Sequence, residues 1–183
     1  MPPADPPRLL QRVEATLVRR LVRGVEALPA PAAAAFTRVV GDLLHATLRS
    51  RVRGARERAA AALGMAPDDP EVARIVRASV RHLVRVVVEF ARLPRELKRA
   101  RAEEVVILEE RRHYEEVRAR SKHVLLVTAH LGNWEVGATL LPRLGIPVVG
   151  IARKMTNPLV TRFLIERREQ FGFLTVDKGS GVT

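Results

Sequence analysis

The chain has 183 residues, enough for one domain with a real core or for a small domain with a helical extension. Hydrophobic residues at 47% argue against disorder over most of the length, and aromatics at 4% leave the core to Val, Leu, Ile and Ala. A formal charge of +12 favours anionic partners such as phosphate-bearing lipid head groups, an acidic carrier protein or nucleic acid, and the absence of cysteine excludes disulfides, thiolate zinc sites and a cysteine nucleophile.

In chain order, residues 1–8 read as a disordered, proline-rich leader that lacks the basic start of a signal peptide. Leu10, Val13, Leu17, Leu21, Val25 and Leu28 then recur at helical spacing, with Arg12, Arg19 and Arg23 on another face. This predicts an amphipathic basic helix, either packed on the domain by its apolar stripe or lying on a membrane surface or partner. Pro29 and Pro31 break it, and a second helix is expected over residues 32–53. No window approaches the ~18 uninterrupted apolar residues of a spanning helix. Arg49, Arg51, Arg53, Arg56 and Arg58 form a dense positive cluster suited to phosphates or solvent, and Gly64 suits a helix C-cap. Asp69 followed by Pro70 is an N-cap with proline at the first helical position. The helical stripe beyond it, from Val72 through Val76, Val80, Val84 and Val88, is the strongest periodic signal and should end near Pro94. Charges dominate residues 95–120. They enclose an apolar island at Val105 to Leu108, readable as a short strand or one helical turn, and a helix over 109–120 laced by Glu/Arg pairs.

The texture changes at His123. A buried strand is expected over residues 124–128, a helix over 134–141, a strand over 146–151, a helix from Asn157-Pro158 to Gly172 and a strand over 173–176. Alternation at these lengths implies a parallel sheet with right-handed crossovers. The predicted class is therefore α/β: a helical, basic, membrane-proximal region at 9–121, then the start of a mainly parallel sheet with flanking helices at 122–183. Three strands are few for a two-sided sheet, so the chain reads as truncated at its C-terminus.

Chemistry concentrates just past the first of these strands, in A-H-L-G-N-W-E. Ligands of open α/β sheets bind where His130 falls, beyond a strand's carboxyl end. Glu135 lies five residues on, about 140° away were the segment helical, so the two meet only if the chain turns at Gly132. Asn133 is then a natural N-cap, which puts Glu135 in the first helical turn. A neutral imidazole can take a proton from an alcohol attacking a carbonyl or thioester, and a carboxylate on its other nitrogen would fix the tautomer. No serine or cysteine stands beside the pair, which favours direct attack by an external hydroxyl. A histidine after a strand can equally be structural. His45, His82, His113 and His123 lack ligand spacing, so no metal is expected. Gly179-Ser180-Gly181 lacks the nucleophile-elbow pattern and reads as a loop, and no dinucleotide or Walker fingerprint occurs.

H-L-G-N-W-E, preceded by V-L-L-V-T-A, resembles the H-x4-D/E block of the glycerolipid acyltransferase superfamily. It is most similar to that of the bacterial lipid A biosynthesis (lauroyl/myristoyl) acyltransferases. The resemblance continues through Arg153, Asn157-Pro158 and Arg168-x3-Gly172 and, more loosely, through the upstream helices. It implies acyl transfer from an acyl carrier protein (or CoA) thioester to a hydroxyl of an anionic, phosphorylated glucosamine lipid at the cytoplasmic face of the bacterial inner membrane, with no cofactor beyond the acyl co-substrate. It assigns His130 as general base and Glu135 as its orienting partner. Asn133 and Trp134 would shape the turn at the substrate site, and Arg153 and Arg168 would contact phosphate or acyl donor. Many relatives have a clearer hydrophobic anchor, so attachment here is expected to be peripheral or monotopic. The family's later blocks are missing, so these residues are expected to be inactive alone. A phosphatidylinositol mannoside or other glycerolipid acceptor is the alternative within the superfamily, although those enzymes more usually carry aspartate at the Glu135 position. A basic membrane-surface scaffold is a different class, as is a nucleic-acid binder, against which the scattered arginines without interleaved aromatics argue.

Overall fold

Apolar side chains at three- and four-residue spacing dictate helix through most of the chain, and the computed structural model, which describes residues 8–178, is an α/β fold with its helices at the N-terminal end. The helices are α1 (Leu9–Ala27), α2 (Ala30–Thr47), α3 (Arg49–Leu63), α4 (Pro70–Glu96), the single turn α5 (Ala102–Val105), α6 (Arg111–Arg120), α7 (Trp134–Leu140) and α8 (Pro158–Glu169). Two short strands, β1 (Val149–Ala152) and β2 (Leu174–Asp177), flank α8 and pair in parallel with Val149 opposite Leu174. Most of the expected leader and the loop at 179–181 lie outside the described residues. Residues 24–92 form one compact unit and the described residues on either side of them form another, the boundaries falling inside α1 and α4.

In the 24–92 unit, Val52 and Ala60 of α3 bury against Val72 and Val76 of α4, with Ala55 and Ala59 beside them. Removing one such valine from water is worth about 1.5–3 kcal/mol. Gly64, in the left-handed conformation, ends α3 as its sequence position predicts, and Asp69 Oδ1 accepts from the Glu71 amide at 2.7 Å, capping α4. One boundary differs from expectation. The helix predicted over 32–53 breaks at Leu48 (φ −87°, ψ 50°), where neither proline nor glycine signals a stop. α4 does end near Pro94 as expected: the proline lies inside its last turn, two residues before Glu96, where the missing N–H removes a single helical bond.

Asp42 of α2 is clamped by α4. Its Oδ1 accepts from Arg81 Nε at 2.7 Å and Arg77 Nε at 2.8 Å, and its Oδ2 from Arg81 Nη2 at 2.6 Å. The Arg81 bonds first, and the Arg77 bond next, hold the carboxyl far below the ordinary aspartate value of 3.8. A depressed folded pKa gives stability that is fully present above the unfolded value and is lost as pH falls through the folded one. The thermal midpoint should therefore fall as pH drops below about 4, and Asp42→Asn should flatten that part of the profile. Circular dichroism melts of both proteins between about pH 2 and 7 check this; parallel curves would contradict it.

In the other unit, the first four residues of the apolar stripe of α1 are not the ones that pack. The face that packs is Gln11, Ala15, Val18 and Val22, with Ala15 buried, whereas Leu10, Val13, Leu17 and Leu21 are exposed. A small residue admits a closer neighbour than leucine does, so the packed face is the one with the weaker hydrophobic signal. Asn157, 3% exposed, ties α1 to the start of α8. Its Nδ2 donates to the Gln11 carbonyl (2.8 Å) and to Glu14 Oε2 (2.9 Å), while its Oδ1 accepts from the Leu159 amide (2.9 Å), capping α8. Arg19 lies over the Phe163 ring at 5.6 Å. Asn157→Ala removes the cap and leaves the Gln11 carbonyl and the Glu14 carboxylate without these donors. The expected cost is about 2–3 kcal/mol, read as a lower denaturation midpoint with an unchanged slope.

The buried strand expected over residues 124–128 is not found: the segment pairs with no strand among the described residues, and Leu125 and Val127 are each 86% exposed. An apolar run reports a demand for burial, but strand structure also needs a neighbour to complete its hydrogen bonds. Among the described residues β1 pairs only with β2 in a two-stranded sheet.

Candidate active site

Parallel strands direct their carboxyl ends to one edge, and a cavity of about 400 Å³ opens there, within the unit formed on either side of residues 24–92. Its walls come from four places: the loop and α7 start at His130, Trp134 and Glu135; β1 and the segment after it from Gly150 to Met155; one face of α8; and Phe173, just before β2, with Thr175 on that strand. A second depression shares Lys154, Met155, Thr161 and Ile165 with it and continues along α8 to Glu169.

The local sequence explains how His130 and Glu135 reach one cavity. Gly132 has φ +56°, a conformation that costs glycine little, so the chain turns there between the two residues. Asn133 then caps α7, its Oδ1 accepting from the Val136 amide at 3.0 Å, which places Glu135 in the first turn. The exposed His130 ring packs on Trp134 with centroids 4.7 Å apart and planes tilted by 48°. No hydrogen bond joins His130 to Glu135.

The Glu135 carboxylate is instead gripped by Arg168 of α8: Nε donates to Oε1 at 2.5 Å and Nη2 to Oε2 at 3.1 Å. The two side chains are 18% and 21% exposed, so water screens this pair less than the chain's surface pairs. Arg168, expected as a phosphate or donor contact, thus lines the cavity with its guanidinium on Glu135. Arg153 lines it as an exposed cation beside Lys154. Asn133 does not line it and acts on the site through the helix it caps.

Residues not singled out in the sequence complete the walls. Thr161, Leu164 and Ile165 share the inner face of α8 with Arg168 at helical spacing, a pattern readable from spacing alone. Thr161 Oγ1 accepts from the Met155 amide at 2.9 Å and holds the segment after β1 against α8. Ile151 and Phe173 supply apolar wall, while Gly150 makes room for the Phe173 ring: a Cβ at position 150 would lie 2.4 Å from Cζ.

A histidine, a carboxylate and two exposed cations around a part-apolar cavity suit group transfer to or from an anionic, partly apolar substrate. A family model described as bacterial lipid A biosynthesis acyltransferase matches residues 6–183, which sets the class as acyltransferase. The chain belongs to the bacterial lipid A biosynthesis acyltransferase family. No curated protein and no solved structure matches it.

Proposed function

We propose that the protein is an O-acyltransferase that moves a fatty acyl chain from an acyl carrier protein or CoA thioester to a hydroxyl of a phosphorylated glucosamine lipid, a lipid A precursor. The observation that carries this reading is the convergence of His130, Glu135, Arg153 and Lys154 on one cavity at the strand ends in a member of this family. The imidazole of His130 takes the proton of the acceptor hydroxyl as its oxygen attacks the thioester carbonyl. The tetrahedral adduct collapses, the C–S bond breaks and the thiolate recovers the proton from the imidazolium, giving one ester and one thiol. No side chain is acylated, consistent with a chain that has no cysteine. Glu135 stabilises the imidazolium, Trp134 supports the ring, Asn133 sets the turn that presents both, and Arg153 with Lys154 receives acceptor phosphate.

The exposed Leu10, Val13, Leu17 and Leu21, with Arg12, Arg20 and Arg23 alongside, suit α1 to the anionic cytoplasmic surface of the bacterial inner membrane, where such an acceptor resides. Among the described residues no helix is long and apolar enough to cross a membrane.

The test presents membranes carrying the protein with acyl carrier protein thioester or acyl-CoA, and with a tetra-acylated lipid A precursor or a phosphatidylinositol mannoside. Acceptor mass is the readout. One added acyl ester on the lipid A precursor supports the reading, and acylation of the mannoside alone overturns its acceptor. Absence of transfer to either, with nucleic-acid binding that falls steeply with salt, overturns the whole.

A further inference from the structure

We propose that Arg168 is a positioning residue for the acyl-transfer step, holding the Glu135 carboxylate in place, and is not a contact for substrate phosphate. The inference rests on the functional reading above and assigns a task to a cation of the same cavity.

Glu135 has three rotatable side-chain bonds and sits in the first turn of a seven-residue helix, so α7 alone leaves its carboxylate free to swing. Arg168 removes that freedom. Its planar guanidinium meets both carboxylate oxygens, at 2.5 and 3.1 Å, a fork that fixes direction as well as distance. The pair links elements 33 residues apart, whereas Arg74–Glu71 and Arg162–Glu166 join neighbours on one helix. Those local pairs are also exposed, at 69%/43% and 76%/50%, against 18%/21% here. Surface pairs of that kind stabilise a helix slightly and orient nothing beyond it.

The charges divide the roles. Arg168 and Glu135 neutralise each other, so their pair offers an incoming phosphate little net attraction. Arg153, exposed on the cavity wall, remains positive. A carboxylate oxygen accepts more than one hydrogen bond, so Glu135 held by Arg168 still has lone pairs for the imidazolium that forms on His130. Arg168 therefore acts through Glu135, and its loss should appear in turnover and not in acceptor affinity.

The test measures kcat and acceptor KM for Arg168→Gln, Arg168→Lys, Glu135→Gln and the Arg168→Gln/Glu135→Gln double variant in the membrane-bound protein. Arg168→Gln is expected to lower kcat about 10–100-fold with KM within about twofold, and Arg168→Lys to recover part of the loss. In the Glu135→Gln background, Arg168→Gln should lower kcat no further, because its target is already neutral. Arg153→Ala, by contrast, should raise KM. A rise in KM at unchanged kcat for Arg168→Gln, or losses that multiply in the double variant, would overturn the proposal. Should Arg168→Gln fail to fold, Arg168→Lys alone and combined with Glu135→Gln decides by the same two readouts. A wild-type protein that transfers no acyl group defeats the functional reading itself, which separates that failure from this one.

Discussion

Replacing His130 with alanine is expected to lower kcat for acyl transfer about a thousandfold while leaving the protein folded. The size follows from the chemistry: without a base the acceptor hydroxyl attacks as a neutral alcohol, and the departing thiolate has no proton donor beside it. The side chain is exposed and its ring packs on Trp134, so little burial is lost and the melting curve should barely move. His130→Gln keeps polarity and approximate size but cannot accept a proton, so it should be as inactive as alanine. Steady-state kinetics beside thermal melts of the three proteins check this. A variant that loses activity and folding together would assign His130 a structural role instead.

Gly150→Val should be the most damaging substitution for the fold around the site. A Cβ there would stand 2.4 Å from Phe173 Cζ and 2.7 Å from Cε1, far inside van der Waals contact. The ring cannot swing clear cheaply, because Phe173 is only 8% exposed. Position 150 is also paired with Thr175 across the only ladder among the described residues, so shifting β1 away strains that pairing. Overpacking of this kind costs about 1–3 kcal/mol, and more where backbone must move. The expected result is a clearly lower melting temperature together with loss of transfer, since Gly150 and Phe173 both line the cavity. Gly150→Ala should do the same to a smaller extent. A valine variant with wild-type stability would show that the ring has room to move.

What the sequence revealed and what it hid differ in physical kind. Short-range chemistry was legible: the caps at Asp69 and Asn133, the left-handed Gly64 and the turn forced at Gly132 all follow from side-chain and backbone preferences of a few adjacent residues. So was the alternation that puts α8 between β1 and β2, although each strand is shorter or slightly displaced relative to its apolar run. Long-range choices were not. Leu10, Val13, Leu17 and Leu21 have the stronger hydrophobic pattern, yet α1 packs through Ala15 and its neighbours, because packing rewards fit against a particular surface that the pattern does not contain. Residues 124–128 have strand composition but no pairing neighbour among the described residues. The grip of Arg168 on Glu135 joins positions 33 apart, and no spacing rule announces it. His130, Trp134, Glu135, Arg153 and Arg168 were nameable from the sequence, while the other lining residues and the partnerships among them required three dimensions.

Under the proposed function, His130 drives direct acyl transfer at this cavity. The most direct measurement follows a labelled acyl thioester through membranes carrying either the wild-type protein or His130→Ala, with the lipid A precursor present, weighing lipid, thiol and protein by mass spectrometry. The expected result is one lipid ester for each thiol released by the wild type, no acyl group on the protein at any time, and no ester from the variant above background. An acylated protein that precedes the ester, or equal ester from both proteins, would contradict it.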